Sequence, residues 1–166
     1  MNAGITLTDI AIRNDLQPGD LGFIAYLHAK LYAKEMGYGI NFEAYVLEGL
    51  GEFAHHYDAK KDKVWICEHD GQIIGSLVGF HRNSDIQFRY FIFLPEYRGI
   101  GLGKHLMQEF VNYAKASGCK NAYLWTTTEQ ETAISLYTRY GFKQTAEKSS
   151  TAFDKALTEL RFDLAL

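Results

Sequence analysis

Residues 98–104 read Arg-Gly-Ile-Gly-Leu-Gly-Lys, three glycines at alternate positions closed by a cation. The stretch lies between an apolar run, FRYFIFLPEY, and an amphipathic one, KHLMQEFVNYAKASG. A glycine-rich turn from strand to helix suits an anion. The helix start offers unpaired N–H groups and the positive end of its dipole, and glycines let the backbone come close. The plain alternative is a tight loop that holds nothing. Spacing removes several ligand types. A dinucleotide turn needs GxGxxG, and counting from Gly99 the last position falls on Lys104. A P-loop needs GxxxxGK[ST], but Arg98 replaces its first glycine and His105 its magnesium-binding hydroxyl. A kinase loop is excluded by context and by the absence of HRD and DFG.

The elements that must hold this turn are readable from periodicity. ITLTDIAIR (5–13) alternates as a strand would. Asp20 is suited to cap a helix over about 21–36, on which Ile24, Leu27, His28, Leu31 and Glu35 share one face. Gly37 and Gly39 stop it, and Asn41 can cap a second helix, FEAYVLEGLGEFAHHY. VWICEH (64–69) turns at Asp70-Gly71 into QIIGSLVGFHR (72–82), and IQFRYFIFL (86–94) follows as a central strand. After the glycine turn comes a helix over 103–117, with Leu106, Phe110, Val111 and Ala114 on its buried stripe. NAYLWTTT (121–128) is a strand, and a helix over 130–140 carries Ala133, Leu136, Tyr137 and Tyr140 on one face. FKQTAEKS and LTELRFDLAL (157–166) close the chain as two strands. The order predicts one α+β domain over 1–166, a mixed sheet of six to seven strands flanked by about four helices, with parallel pairing at its middle.

Bulk properties narrow the class. The chain has 166 residues and a net charge of −3, with 47% hydrophobic and 22% charged residues. That suits one folded domain and argues against a nucleic-acid surface. No apolar run approaches the ~18 residues of a membrane span, and no signal-peptide pattern opens the chain. Cys67 and Cys119 have no CxxC or histidine spacing. They read as free thiols in a reducing, cytoplasmic setting, and no metal is expected. His55-His56 lacks an HExxH pattern and reads as helix surface; His28 reads as a packed, hydrogen-bonded histidine.

The segment Arg98-Gly99-Ile100-Gly101-Leu102-Gly103 fits the pattern R/Q-x-x-G-x-G/A. It resembles the acyl-CoA-binding turn of the GNAT superfamily of N-acetyltransferases. Downstream, AISLYTRYGFK (133–143) is similar to that family's A-x-x-L-Y-x-x-x-G-F signature. Gln130 stands where many members carry Asn. A finer resemblance, through LYAKEMGY, FEAYV and ELRFDL, is to acetyltransferase domains fused to MarR-type regulators; this chain would be a stand-alone version that does not bind DNA.

The resemblance implies acetyl-CoA as co-substrate. The amides of Arg98 to Lys104, through Gly99, Ile100, Gly101, Leu102 and Gly103, would wrap its pyrophosphate, with Gln130 nearby. The pantetheine arm would pair along Phe91, Ile92, Phe93 and Leu94, and an N–H near Phe93 or Leu94 would polarise the thioester carbonyl. Tyr137 matches the general-acid tyrosine, although its place on a packing face is the structural alternative. For the base, Glu96 and Glu35 are the side-chain candidates beside a water or backbone route. The acceptor pocket would draw on Tyr32, Glu35, Met36 and Tyr38, with Trp125 and Thr127 opposite. The implied reaction is direct transfer to a primary amine of a small molecule or peptide. The alternative is a module that binds acyl-CoA without turnover. Family members often form homodimers.

Overall fold

The computed structural model describes residues 4–166. Seven strands form one sheet: β1 (Ala11–Arg13), β2 (Lys63–His69), β3 (Gln72–Arg82), β4 (Asp85–Phe93), β5 (Asn121–Thr127), β6 (Lys143–Ser150) and β7 (Leu157–Ala165). Their spatial order is β1-β2-β3-β4-β5-β7-β6. Four helices flank it: α1 (Asp20–Met36), α2 (Ile40–His56), α3 (Leu102–Ala116) and α4 (Glu131–Arg139). The α+β architecture is the one the sequence predicts.

The central strands bury both faces, so their side chains divide between two cores. Val64 and Ile66 join Ile24, Phe42, Val46 and Phe53 beneath α1 and α2. Trp65 and Cys67 join Leu106, Phe110 and Tyr137 beneath α3 and α4. Asp70 (φ 51°) and Gly71 (φ 75°) both take the left-handed conformation that a two-residue hairpin turn demands.

Three local expectations are corrected. The stretch 5–13 is not one strand: Leu7–Asp9 form a single 3₁₀ turn, because Asp9 accepts the Thr6 amide and hydroxyl at 2.8 Å each. Only Ala11–Arg13 remain extended. Asp20 does not cap α1; Gly19 (φ 99°) does, while the Asp20 carboxylate is taken by Arg13 at 2.8 and 2.9 Å. Asn41 does not cap α2 either. Its own amide donates to Asp154 Oδ2 at 2.9 Å, so the cap arrives from the loop before β7. Gly39 is required there, since a Cβ would lie 2.3 Å from that oxygen.

The parallel pair β4–β5 positions the site. The strands are in register for only three residues, from Asp85↔Asn121 to Gln87↔Tyr123. Beyond Gln87, β4 turns away at a bulge where β3 shifts register between Ser76 and Val78. Tyr90 takes a left-handed φ of 54° there, and Ser76 Oγ donates to its carbonyl at 2.7 Å. The sheet therefore opens into a cleft.

Candidate active site

The cleft, about 1070 Å³, runs between the end of β4, the glycine turn, α1 and α4. Gly99 (φ 80°) and Gly101 (φ 91°) hold the left-handed conformations that only glycine adopts without strain. Gly101 precedes α3, whose first turn includes Gly103 and Lys104. Among the described residues, no backbone acceptor outside the helix takes the amides from Gly99 to Lys104. Ile100 packs against the core and Leu102 is buried in it. Their apolar side chains thus anchor the loop, and its backbone donors are left without an acceptor among the described residues. The Arg98 amide is not one of them, because it donates to Pro95 O at 3.2 Å. Lys104 and Arg139 line the cleft, exposed and without an ion pair among the described residues. Arg139 was invisible to motif reading, since its place follows from how α4 packs.

Alternation along β4 divides its backbone groups. Leu94 N–H donates to Ile74 O at 2.8 Å, and Gly75 pairs with Phe93. The amides of Ile92 and Leu94 therefore face β3, whereas those of Phe91 and Phe93 face the cleft. Of the two amides expected near a thioester, Leu94's is already used and Phe93's is free to act. The Phe93 carbonyl accepts from Arg98 Nε and Nη2 at 3.3 and 3.2 Å. Arg98 Nη1 meets Glu35 Oε1 at 2.9 Å. Arg98 thus bridges β4 to α1 across the cleft. Glu96, by contrast, is exposed on the 3₁₀ turn Pro95–Tyr97 and lines neither this cleft nor the cavity beside it.

A second cavity of about 120 Å³ lies on the far side of the opening. Tyr32, Phe91 and Gln130 line both spaces and divide them. Tyr32 donates to Gln130 Oε1 at 3.3 Å, so Gln130 ties the start of α4 to α1. Met36 and Glu35 face the cleft, while Tyr38, Trp125 and Thr127 line the smaller cavity. Tyr38 and Thr127 hydroxyls are 3.0 Å apart, and Tyr38 also donates to Glu129 Oε2 at 3.2 Å. Glu129, which lines the cleft and pairs with Lys155, has no motif to mark it.

Tyr137 is buried on α4 against Phe88, at 5.5 Å between ring centroids, and lines the small cavity. Its hydroxyl makes no hydrogen bond among the described residues. Burial, with a smaller contribution from Tyr32, pushes its pKa well above the ordinary phenol range. The hydroxyl is therefore a proton-bearing donor at any ordinary pH. His28 is the packed histidine expected: its Nδ1 bonds Ile24 O at 2.8 Å. Burial first, and the Arg89 charge after it, hold its pKa down at about 4. A group that weakly basic is a poor acceptor for an ammonium proton.

Two strands that part beside a helix N-terminus leave a cleft lined by backbone amides without an acceptor among the described residues. The chain belongs to the Acetyltransferase (GNAT) family, whose model matches residues 29–142. An uncharacterized N-acetyltransferase of Escherichia coli K12, YjgM, is 34% identical over 100 residues, covering 57% of this chain and 59% of that relative. The chain spans about half the length of the curated relatives it matches. Among solved structures, an acetyltransferase from Streptococcus agalactiae superposes with a TM-score of 0.72 at 19% identity, over 95% of this chain and 99% of its own. A GNAT acetyltransferase from Elizabethkingia anophelis with acetyl-CoA bound gives a TM-score of 0.68 at 14% identity, over 95% and 99%. These two likenesses are of fold. No helix of the described residues is long and apolar enough to cross a membrane, and no group of three or more His, Cys, Asp or Glu among them could hold a metal ion.

Proposed function

We propose that the protein is an acetyl-CoA-dependent N-acetyltransferase acting on a primary amine by direct attack in a ternary complex. The observation that carries this is the alignment of two sets of free donors. The amides of Phe91 and Phe93 face the cleft, and the unpaired amides of Gly99 to Lys104 continue the same path to a helix start. A strand-like arm ending in phosphates is the ligand that uses both. The residues present fit acetyl-CoA, which supplies an acetyl group activated as a thioester.

Roles follow for this chain's residues. The turn amides and the N-terminus of α3 bind the pyrophosphate, with Lys104 and Arg139 adding positive charge. Arg98 leaves the Phe93 carbonyl so that the arm can pair there. Phe93 N–H stabilises charge developing on the carbonyl oxygen. A nitrogen–carbon bond forms and the carbon–sulfur bond breaks. Of the two protons lost by the ammonium, one ends on sulfur and one on solvent. Tyr137 O–H donates toward the sulfur as its charge grows, which needs no free phenolate. Glu35, the cleft-lining member of the two predicted carboxylates, accepts the amine proton directly or through water. The small cavity holds the acceptor, a small molecule or the amine end of a peptide. The finer kinship with domains fused to MarR-type regulators rests on LYAKEMGY, FEAYV and ELRFDL. A cytoplasmic setting rests on the free thiols Cys67 and Cys119.

Calorimetry with acetyl-CoA, followed by thiol release with a panel of amines, tests this. Micromolar binding and amine-dependent release are expected. Binding without release to any amine would favour a non-catalytic acyl-CoA sensor, and no binding at millimolar acetyl-CoA would end both ideas.

A further inference from the structure

The small cavity is lined by two charged side chains, Arg89 and Glu159. Arg89 lines it and makes no ion pair and no hydrogen bond among the described residues, although it is only half-exposed. The acids nearby are engaged elsewhere: Glu52 by Arg82, and Glu159 by Lys148 at 3.4 Å. Beside Arg89, Tyr90 lines the same cavity, and its hydroxyl is closed off from solvent with no hydrogen-bond partner among the described residues. Tyr90 is 8% exposed. The two groups converge. A Cβ on Gly49 of α2 would lie 2.5 Å from Tyr90 Oη and 2.6 Å from Arg89 Nη2, so both press against one point of the helix backbone. Buried polar groups in folded proteins are rarely left without partners; the Arg89 guanidinium packs over the Tyr90 ring at 4.7 Å, and an anion would give the cation its missing counter-charge and the hydroxyl an acceptor.

The left-handed turn at Tyr90 produces this arrangement. It lets two consecutive residues of β4 face α1 and α2 instead of alternating, so that Arg89 and Tyr90 share a side. The same bulge opens the cleft. Phe91, which borders the acetyl-transfer site, follows Tyr90 directly and lines both the cavity and the cleft. Rings of Tyr32, Tyr38, Phe42, Phe88 and Phe153 line the cavity as well.

We infer that the acceptor is an amine that also carries a carboxylate, bound by Arg89 and Tyr90, with an apolar or aromatic body between the carboxylate and the reacting nitrogen. This rests on the acetyl-transfer reading above and names the substrate class for the same site. Arg89 supplies a planar cation able to hold both carboxylate oxygens, and Tyr90 adds one neutral donor. An uncharged or polycationic amine would leave Arg89 unpaired or repelled.

Three probes separate the contributions: 4-(aminomethyl)benzoate, benzylamine, which lacks only its carboxylate, and benzoate, which lacks the amine. Calorimetric Kd values are measured for each with the protein alone and with CoA present, alongside KM for the two amines. The expected result is at least tenfold tighter binding of 4-(aminomethyl)benzoate than of benzylamine, and measurable binding of benzoate. In Tyr90→Phe and in Arg89→Met the ratio between the two amines falls below threefold. Tyr90→Phe keeps the ring and the backbone, and it removes a hydroxyl with no partner in the free protein, so its Tm is unchanged or higher. Loss of discrimination therefore cannot be attributed to unfolding. Equal affinity for the two amines in the wild type, or a ratio that survives both substitutions, overturns the inference. If benzylamine is acetylated as well as its carboxylate, acetyl transfer stands and the anion site falls. If benzoate binds through Arg89 and Tyr90 while acetyl-CoA does not bind, the anion site stands and the acetyl-transfer reading falls.

Discussion

Gly101→Ala and Gly118→Ala form a matched pair that separates strain from ligand contact. Gly101 (φ 91°) and Gly118 (φ 79°) both take left-handed backbone, and a Cβ on either would meet nothing within 4 Å. Neither substitution creates a clash, so each costs only the left-handed penalty of about 1–2 kcal/mol. For a chain of this size that lowers Tm by roughly 2–8 °C, at about 2–4 °C per kcal/mol. The two sites differ in what the strain disturbs. Gly118 follows the C-terminal end of α3, whereas Gly101 sits where the free amides from Gly99 to Lys104 converge. Relaxing the turn at 101 toward ordinary backbone would re-aim one of these amides. Losing one hydrogen bond to a charged phosphate costs about 1.5–3 kcal/mol, or roughly 10- to 150-fold in Kd. Calorimetry with CoA should show that loss for Gly101→Ala and a change under twofold for Gly118→Ala, with similar Tm losses in both. Equal CoA affinities in the two variants would refute the assignment of the turn as the phosphate cradle.

Three further outcomes follow. Tyr137→Phe should lower kcat by 100-fold or more at unchanged CoA affinity and unchanged Tm, because the hydroxyl bonds nothing in the free protein; an unchanged kcat removes it from the mechanism. Glu35→Gln should lower kcat/KM by at least tenfold while Tm moves by under 2 °C, since a half-exposed pair such as Arg98–Glu35 contributes ~1 kcal/mol or less. His28 is held neutral, with its pKa depressed from 6.5 to about 4, so the unfolded chain binds the proton first as pH falls. Its contribution is full above pH 6.5 and is lost between 6.5 and about 4, amounting to about 3 kcal/mol at about 1.4 kcal/mol per pH unit. Urea titrations at pH 7 and pH 4.5 should show this loss in the wild type and a smaller one in His28→Gln.

The features legible in the sequence are those set by local chemistry. The glycine spacing after an apolar strand marked the turn before α3, and Asp70-Gly71 marked the hairpin between β2 and β3. The stripe Ile24, Leu27, His28, Leu31 marked the buried face of α1. What stayed hidden depends on partners far along the chain. Asp20 and Asn41 look like caps, yet Arg13 takes one carboxylate and Asp154 supplies the other cap. Arg98 looks like part of the phosphate turn. Its amide is taken by Pro95 and its side chain crosses to Phe93 and Glu35. Glu35 and Glu96 were equal candidates by sequence, and only the packing of α1 against β4 brings one of them to the cleft. The pairing of Arg89 with Tyr90 had no signal at all, because a strand should send neighbours to opposite faces and the bulge at Tyr90 cancels that alternation.

The most direct measurement is a crystal structure of the complex with acetyl-CoA. The pyrophosphate should lie within hydrogen-bond distance of the amides from Gly99 to Lys104. The arm should run along Phe91–Phe93 with Arg98 displaced from the Phe93 carbonyl, and the thioester oxygen should accept from Phe93 N–H. A ligand bound elsewhere, or bound with the Arg98–Phe93 contact intact and the gap between β4 and β5 empty, would contradict the account.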